Sequence, residues 1–215
     1  MLLINILSLI TIYQIFIKLV NKHVQINDNL VLFQLYRSII CFIISILASY
    51  ICYINRFNFY NDAIYYTNDE IKKVNLFALS FFCSDLINMI IHKSKRLSLW
   101  IHHIICISVF YTHCVYFNNP SIIFTWLLLA EYMSLGSGID ALAKYYKKKI
   151  ILFWTKFYRC LVIIFIRLPI WYNVILIGLY NNNIYTSGKY SCILGSLTMT
   201  ILDFYWFYLC IHFFR

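Results

Sequence analysis

Seven apolar stretches, joined by barely enough polar chain to form loops, constrain this sequence more than any other feature. An α-helix rises 1.5 Å per residue, so about 20 apolar residues cross roughly 30 Å of hydrocarbon. The stretches fall near residues 2–20, 38–53, 74–91, 99–117, 121–139, 157–179 and 191–213. The second is short and is expected to begin nearer Val31, which carries Arg37 into the membrane. Residues 150–179 exceed one crossing. Their first part, with Trp154, Lys156 and Arg159, is expected as an interfacial helix, where Trp and cations anchor well. The chain is 62% hydrophobic and only 12% charged, against about 25% charged residues in a soluble domain. That much apolar surface in 215 residues requires lipid as part of the solvent. The expected fold is all-α: a polytopic transmembrane helical bundle of six to seven spans forming a single membrane domain over residues 1–215.

The formal net charge of +10 does not point to nucleic acid, because no domain-sized basic segment exists. The cations sit in short loops, where topology and anionic headgroups account for them. Lys18, Lys22, Lys93, Lys95, Arg96, Lys144, Lys147, Lys148, Lys149 and Arg215 fall on one side; Arg56, Lys72, Lys73 and Lys189 fall on the other. The richer side is expected in the cytoplasm, with the N-terminus exoplasmic and the C-terminus cytoplasmic. The polar segment 56–73, with Asn68-Asp69-Glu70, is expected as a loop. The first apolar stretch has no basic residue before Lys18 and no small-residue cleavage site, so it is read as a retained span. The eight cysteines fall within apolar segments without a CxxC pair and are read as small apolar filler. Neither a metal site nor a cofactor signature is legible.

The functional signal lies in the few ionisable residues inside the spans: Asp85, His102, His103, Glu131, Arg167 and Asp203. Each costs roughly 3 kcal/mol or more at membrane depth unless it faces a protein interior. Counted along their helices, Asp85, Glu131 and Asp203 lie about 15–18 Å from one end. His102 and His103 sit one turn inside their span, and Arg167 lies near the middle of its own. Five spans thus contribute ionisable groups to one band of depth, which points to a lined central cavity more than to isolated polar contacts between helices. His102, Cys106 and His113 share a helix face, but about 16 Å of axis separates the two histidines, so they cannot share a metal. Neighbouring His102 and His103 point about 100° apart. One is expected to do chemistry or hydrogen-bond while the other orients or packs, with a carboxylate fixing the tautomer.

Ser84-Asp85-Leu86, then His102-His103 after a short basic loop, then Glu131 in the next span, resemble the TLC domain. This is the membrane domain shared by ceramide synthases, a translocon-associated protein and several lipid-regulating membrane proteins. Phe165-Ile166-Arg167-Leu168-Pro169 resembles the family's Phe-x-Arg element, and Leu202-Asp203-Phe204-Tyr205-Trp206-Phe207 its final-span Trp-Phe element. The resemblance covers roughly residues 30–213. It implies a ring of helices around a cavity that admits lipid chains, in the endoplasmic reticulum or another secretory-pathway membrane. In ceramide synthases the paired His belongs to the acyl-transfer centre. The resemblance therefore makes His102 and His103 the candidate catalytic pair, with Asp85 or Glu131 orienting it and Arg167 and Asp203 near a lipid headgroup. The stretch Leu129-Ala130-Glu131-Tyr132-Met133-Ser134 lacks the His-Asp of the ceramide-synthase branch, and the chain resembles the small family members more. The expected role is lipid handling: binding, sensing, trafficking or control of membrane composition, with membrane lipid as partner. The alternatives are an acyltransferase fed by acyl-coenzyme A and an assembly factor for other membrane proteins.

Overall fold

Helix accounts for nearly all of the computed structural model, which describes residues 2–24, 26, 28–57, 66–180 and 186–214, and no strand occurs among them. The reason is solvent: in hydrocarbon each backbone N–H and C=O must find its partner within the protein, and a helix supplies it within its own segment. In chain order the helices are α1 (Leu2–Val24), α2 (Asn29–Ile54), α3 (Asp69–Ile91), α4 (Leu97–Tyr111), α5 (Ile122–Leu127), α6 (Tyr132–Tyr145), α7 (Lys149–Val162), α8 (Leu168–Tyr180) and α9 (Thr186–His212). Three runs change pitch without breaking. A π turn over Thr112–Tyr116 extends α4, a 3₁₀ turn over Leu128–Glu131 joins α5 to α6, and a π turn over Ile163–Arg167 joins α7 to α8. Among the described residues seven helical runs then have the length and apolar character to cross a membrane.

Local chemistry sets the ends. Asp28 Oδ1 accepts from the Leu30 and Val31 amides at 2.8 and 3.3 Å, so α2 starts early and takes Arg37 inside, where it is buried. Asn68 Oδ1 accepts from the Ile71 amide at 2.8 Å. Asp69 and Glu70 then occupy the first turn of α3, where the helix dipole favours anions. These two residues, expected in a loop, are therefore a helix start. Lys189, also expected in a loop, lies within α9. The remainder of that expected 56–73 loop, residues 58–65, lies outside the described residues, as do Arg215 and the side chains of Lys22 and Ser191.

The rods close into a ring. α2 packs on α5–α6, α6 on α7, α8 and α7 on α9, α9 on α4, α4 on α3, and α3 back on α2. α1 lies outside the ring against α3 and α2, held by buried Leu9 and Tyr13. The main apolar core, including Ile44, Phe81, Phe82, Phe110, Phe124 and Trp171, fills part of the ring interior.

Two contacts fix the α2–α6–α7 wall. A Cβ added to Gly138 would lie 1.9 Å from Ser38 Oγ and 3.3 Å from the Gln34 carbonyl oxygen, so only glycine lets α6 approach α2 this closely. Asp140, also on α6, pairs with Lys156 of α7 at 3.1 Å and with Lys144 at 2.9 Å. Lys156 therefore does not anchor α7 at an interface as its spacing suggests; it is buried against a carboxylate, because a membrane-depth cation gains more from an inward partner. Trp154 on the same helix is 60% exposed, in line with an outward anchor.

Candidate functional site

The two pitch changes that face each other across the ring build the site. Pro169 has no N–H to return to the carbonyl of Phe165, and the helix widens just before it into the π turn that ends at Arg167. Opposite, the 3₁₀ turn over Leu128–Glu131 tightens the α5–α6 rod and exposes carbonyls that neighbours then satisfy. Ser45 Oγ donates to the Leu128 carbonyl at 3.2 Å and Arg167 Nη1 to the Ala130 carbonyl at 2.7 Å, and just past the turn Tyr158 Oη donates to the Tyr132 carbonyl at 2.9 Å. The same geometry places Glu131 and Arg167 at the centre.

All six ionisable residues singled out in the spans are buried, none more than 4% exposed. Asp85, His103 and Glu131 thus face the bundle interior, as the energetic cost of lipid exposure requires. They form three linked pairs. His102 Nε2 lies 3.1 Å from Glu131 Oε1, and Glu131 Oε2 accepts from Ser134 Oγ at 3.0 Å. His103 Nε2 bonds Asp85 Oδ2. Arg167 donates from Nε to Asp203 Oδ1 at 2.6 Å, while Trp171 donates to Asp203 Oδ2 at 2.7 Å. The two imidazole rings lie 5.3 Å apart, with Phe82 against both. Trp206 bridges the pairs: its ring meets His102 at 5.9 Å and lies under the Arg167 guanidinium at 5.3 Å.

Neither ring of the histidine pair is left only to pack: each imidazole has its own acid, Glu131 for His102 and Asp85 for His103. An ionised carboxylate only accepts, so each Nε2 carries the proton and each Nδ1 is the lone-pair nitrogen. His103 Nδ1 is buried and has no partner among the described residues. Cys106 Sγ lies 3.8 Å from His102. His113, on the π turn that extends the same helix, is remote from the pairs and packs against Phe124 in a tilted arrangement with ring centroids 4.0 Å apart.

Two recesses meet at His102 and Glu131. One is apolar, with an empty volume of about 630 Å³ counted out to its open side, and is walled by Phe82, Ile105, Val109, Phe110, Phe124, Trp171, Met199 and others. The other, of about 550 Å³, is polar and carries Arg37, Arg96, Arg159, Arg167, Ser98, Ser134 and Ser137, together with both histidines and Trp206. We call them the chamber and the vestibule. Spacing along the sequence suggests an interface for Arg159, a topological loop for Arg96 and only membrane depth for Arg37. Their convergence depends on the ring closing, which spacing along one chain does not reveal. Desolvation, then the like charges of Arg37 and Arg159, lowers the pKa of Arg96, with Asp140 opposing. Arginine stays protonated regardless, so the crowding acts as a positive field.

A family model described as the TLC domain matches residues 32–212. No curated protein and no solved structure matches the chain. The matched span runs from α2 to the last turn of α9 and contains all three acid–base pairs. The ring, the paired histidines and the family match thus agree, and this multi-pass membrane chain belongs to the TLC domain family.

Proposed function

We propose that the protein handles membrane lipid by taking a lipid chain into the chamber, with the polar end of the lipid at His102 and Glu131. One observation carries the reading: this buried acid–base pair stands in the wall common to an apolar recess and a polar one. An amphiphile needs that juxtaposition, since its chain gains from apolar contact while its head must keep polar partners. The loop charges favour a cytoplasmic position for the Lys93–Arg96 end, with the N-terminus exoplasmic, and the family favours the endoplasmic reticulum or a related membrane.

Gly195 offers a clean test. A Cβ there meets nothing closer than Ile105 and Val109 at 3.9 Å, and the residue lines the chamber. Gly195→Phe therefore sets a ring into the chamber from a position where the added Cβ meets only ordinary van der Waals contact. Native mass spectrometry of the purified protein should show a retained lipid that Gly195→Phe loses. A lipid-free wild type whose absence from cells leaves every lipid pool unchanged, while another membrane protein falls in abundance, would favour an assembly role.

A second reading, acyl transfer, is favoured by the carboxylate-held histidines. His103 Nδ1 or His102 Nδ1 would take the proton of an attacking amine or hydroxyl as its lone pair adds to the carbonyl of an acyl thioester. The tetrahedral intermediate then expels the thiolate, and the imidazolium returns the proton to that sulfur. Acyl-coenzyme A is the donor this reading calls for, with Asp85 and Glu131 holding the tautomers.

A further inference from the structure

The vestibule holds more positive charge than its own acids use. Of its four arginines, Arg167 pairs with Asp203, and Arg96 donates from Nη2 to the Gln34 side-chain oxygen at 3.2 Å. Arg37, Arg96 and Arg159 form no ion pair with a carboxylate among the described residues. The one acid in the lining, Glu131, is already engaged by His102 and Ser134. Arg37 and Arg167 are 5% and 2% exposed, yet Arg37 Nη1 and Arg167 Nη2 are buried donors without a partner among the described residues, as is Arg159 Nε. Unpartnered buried guanidinium N–H groups are costly, and an acceptor placed among them would relieve that cost. Donors from α2 and from the continuous α7–α8 rod, with Arg96 beside them at the start of α4, converge on one recess and match an oxyanion with several acceptor oxygens.

The vestibule also has an outward continuation. A third recess, of about 680 Å³, shares Arg37, Arg96 and Leu99 with it and adds Lys93, Lys95 and Gln34. A basic path thus leads from the α3–α4 loop to His102, and the chamber begins on the other side of that residue.

We propose that the vestibule binds the phosphate monoester of a lipid whose chain lies in the chamber. This rests on the lipid-handling reading and names the headgroup. The phosphate belongs close to the chain, because His102 and Glu131 line both recesses and Trp171, in the chamber wall, touches the Arg167 guanidinium. In a coenzyme A thioester the long pantetheine arm separates the acyl carbonyl from the phosphates, which would then fall nearer Lys93 and Lys95. A lysophosphatidate-like molecule carries its phosphate only a few bonds from the acyl ester, as the arrangement of the two recesses demands.

The test uses the full chain in uncharged maltoside detergent and measures equilibrium binding of oleoyl lysophosphatidate, of oleoylglycerol, which has the same chain and no phosphate, and of oleoyl-coenzyme A. Lysophosphatidate should bind about tenfold or more tightly than oleoylglycerol, in keeping with a charge-assisted hydrogen bond or two. Arg37→Gln and Arg159→Gln should each remove about that factor for lysophosphatidate and leave oleoylglycerol binding unchanged, and the exposed control Lys18→Gln should change neither. Inorganic phosphate should displace lysophosphatidate, and not oleoylglycerol, from the wild type, which keeps the test decisive if an arginine variant fails to fold. Equal binding of the two oleoyl lipids, indifferent to phosphate, overturns the headgroup assignment and leaves the chamber reading standing. Tighter binding of oleoyl-coenzyme A with the same loss at Arg37 and Arg159 overturns the lipid as the source of the phosphate. Failure of all three ligands to bind overturns the headgroup assignment and the lipid reading together.

Discussion

Arg167 and Asp203 form a buried ion pair at 2.6 Å that ties the π turn before α8 to the final helix. The same guanidinium donates to the Ala130 carbonyl at 2.7 Å and lies over Trp206 and Trp171. One side chain thus holds three rods of the ring and sets the turn that carries Glu131. Removing one partner of such a pair leaves an uncompensated buried charge and costs about 3–5 kcal/mol. Asp203→Leu and Arg167→Met should each lower the thermal midpoint of the detergent-solubilised protein sharply. The double variant, in which no charge is stranded, should lose less than the sum of the two.

The histidine pair yields a prediction specific to catalysis. If the protein transfers acyl groups, His103→Ala and Asp85→Asn should lower turnover by about 100-fold or more, because the substitutions remove the base or its tautomer lock. His102→Ala should add a loss of lipid retention, since only His102 of the pair lines the chamber as well as the vestibule. Turnover assays alongside bound-lipid measurements distinguish the two. Full turnover in both His103→Ala and His102→Ala would remove catalysis from the site and leave binding.

Gly138 is the tightest approach in the ring wall. Gly138→Ala places a methyl group against Ser38 and within 3.3 Å of the Gln34 carbonyl oxygen, and overpacking of this kind costs typically about 1–3 kcal/mol. The variant should run as a less stable species in size-exclusion chromatography after heating. Ser38→Gly in the same chain should restore much of the loss, because the closest clash is with the Ser38 side chain.

Much of this architecture was legible in the chain. Span length and hydropathy placed the helices, and the cost of membrane-buried charge singled out Asp85, His102, His103, Glu131, Arg167 and Asp203. Which acid serves which histidine was not legible, because that depends on the order of rods around the ring. Nor was the inward turn of Lys156 toward Asp140, since a cation near Trp154 has the same spacing whether it anchors in an interface or pairs inside. Arg37, Arg96 and Arg159 were visible one at a time; only the fold brings them into one recess.

At the Lys93–Arg96 end of the ring, stability should depend on pH through His92, which lies just beyond the last residue of α3. Tyr13 Oη lies 2.5 Å from His92 Nε2, and Phe33 stacks on the ring. Desolvation lowers the His92 pKa from its ordinary value of 6.5. As pH falls below that value the unfolded chain takes up the proton first, so the contribution of neutral His92 is full above about pH 6.5 and is lost toward the depressed folded value. Thermal midpoints between pH 7.5 and 5 should fall less steeply for His92→Gln than for the wild type.

The proposed function requires a lipid chain in the chamber beside His102. A fatty acyl probe with a diazirine partway along its chain, cross-linked in native membranes and mapped by peptide mass spectrometry, reads that occupancy directly. Labels should fall on Val109, Phe110 and Met199, which line the chamber, and should be lost in Gly195→Phe while the outward-facing Ile201 and Phe204 remain labelled. Labelling confined to Ile201, Phe204 and other outward residues, the same in wild type and Gly195→Phe, would contradict it.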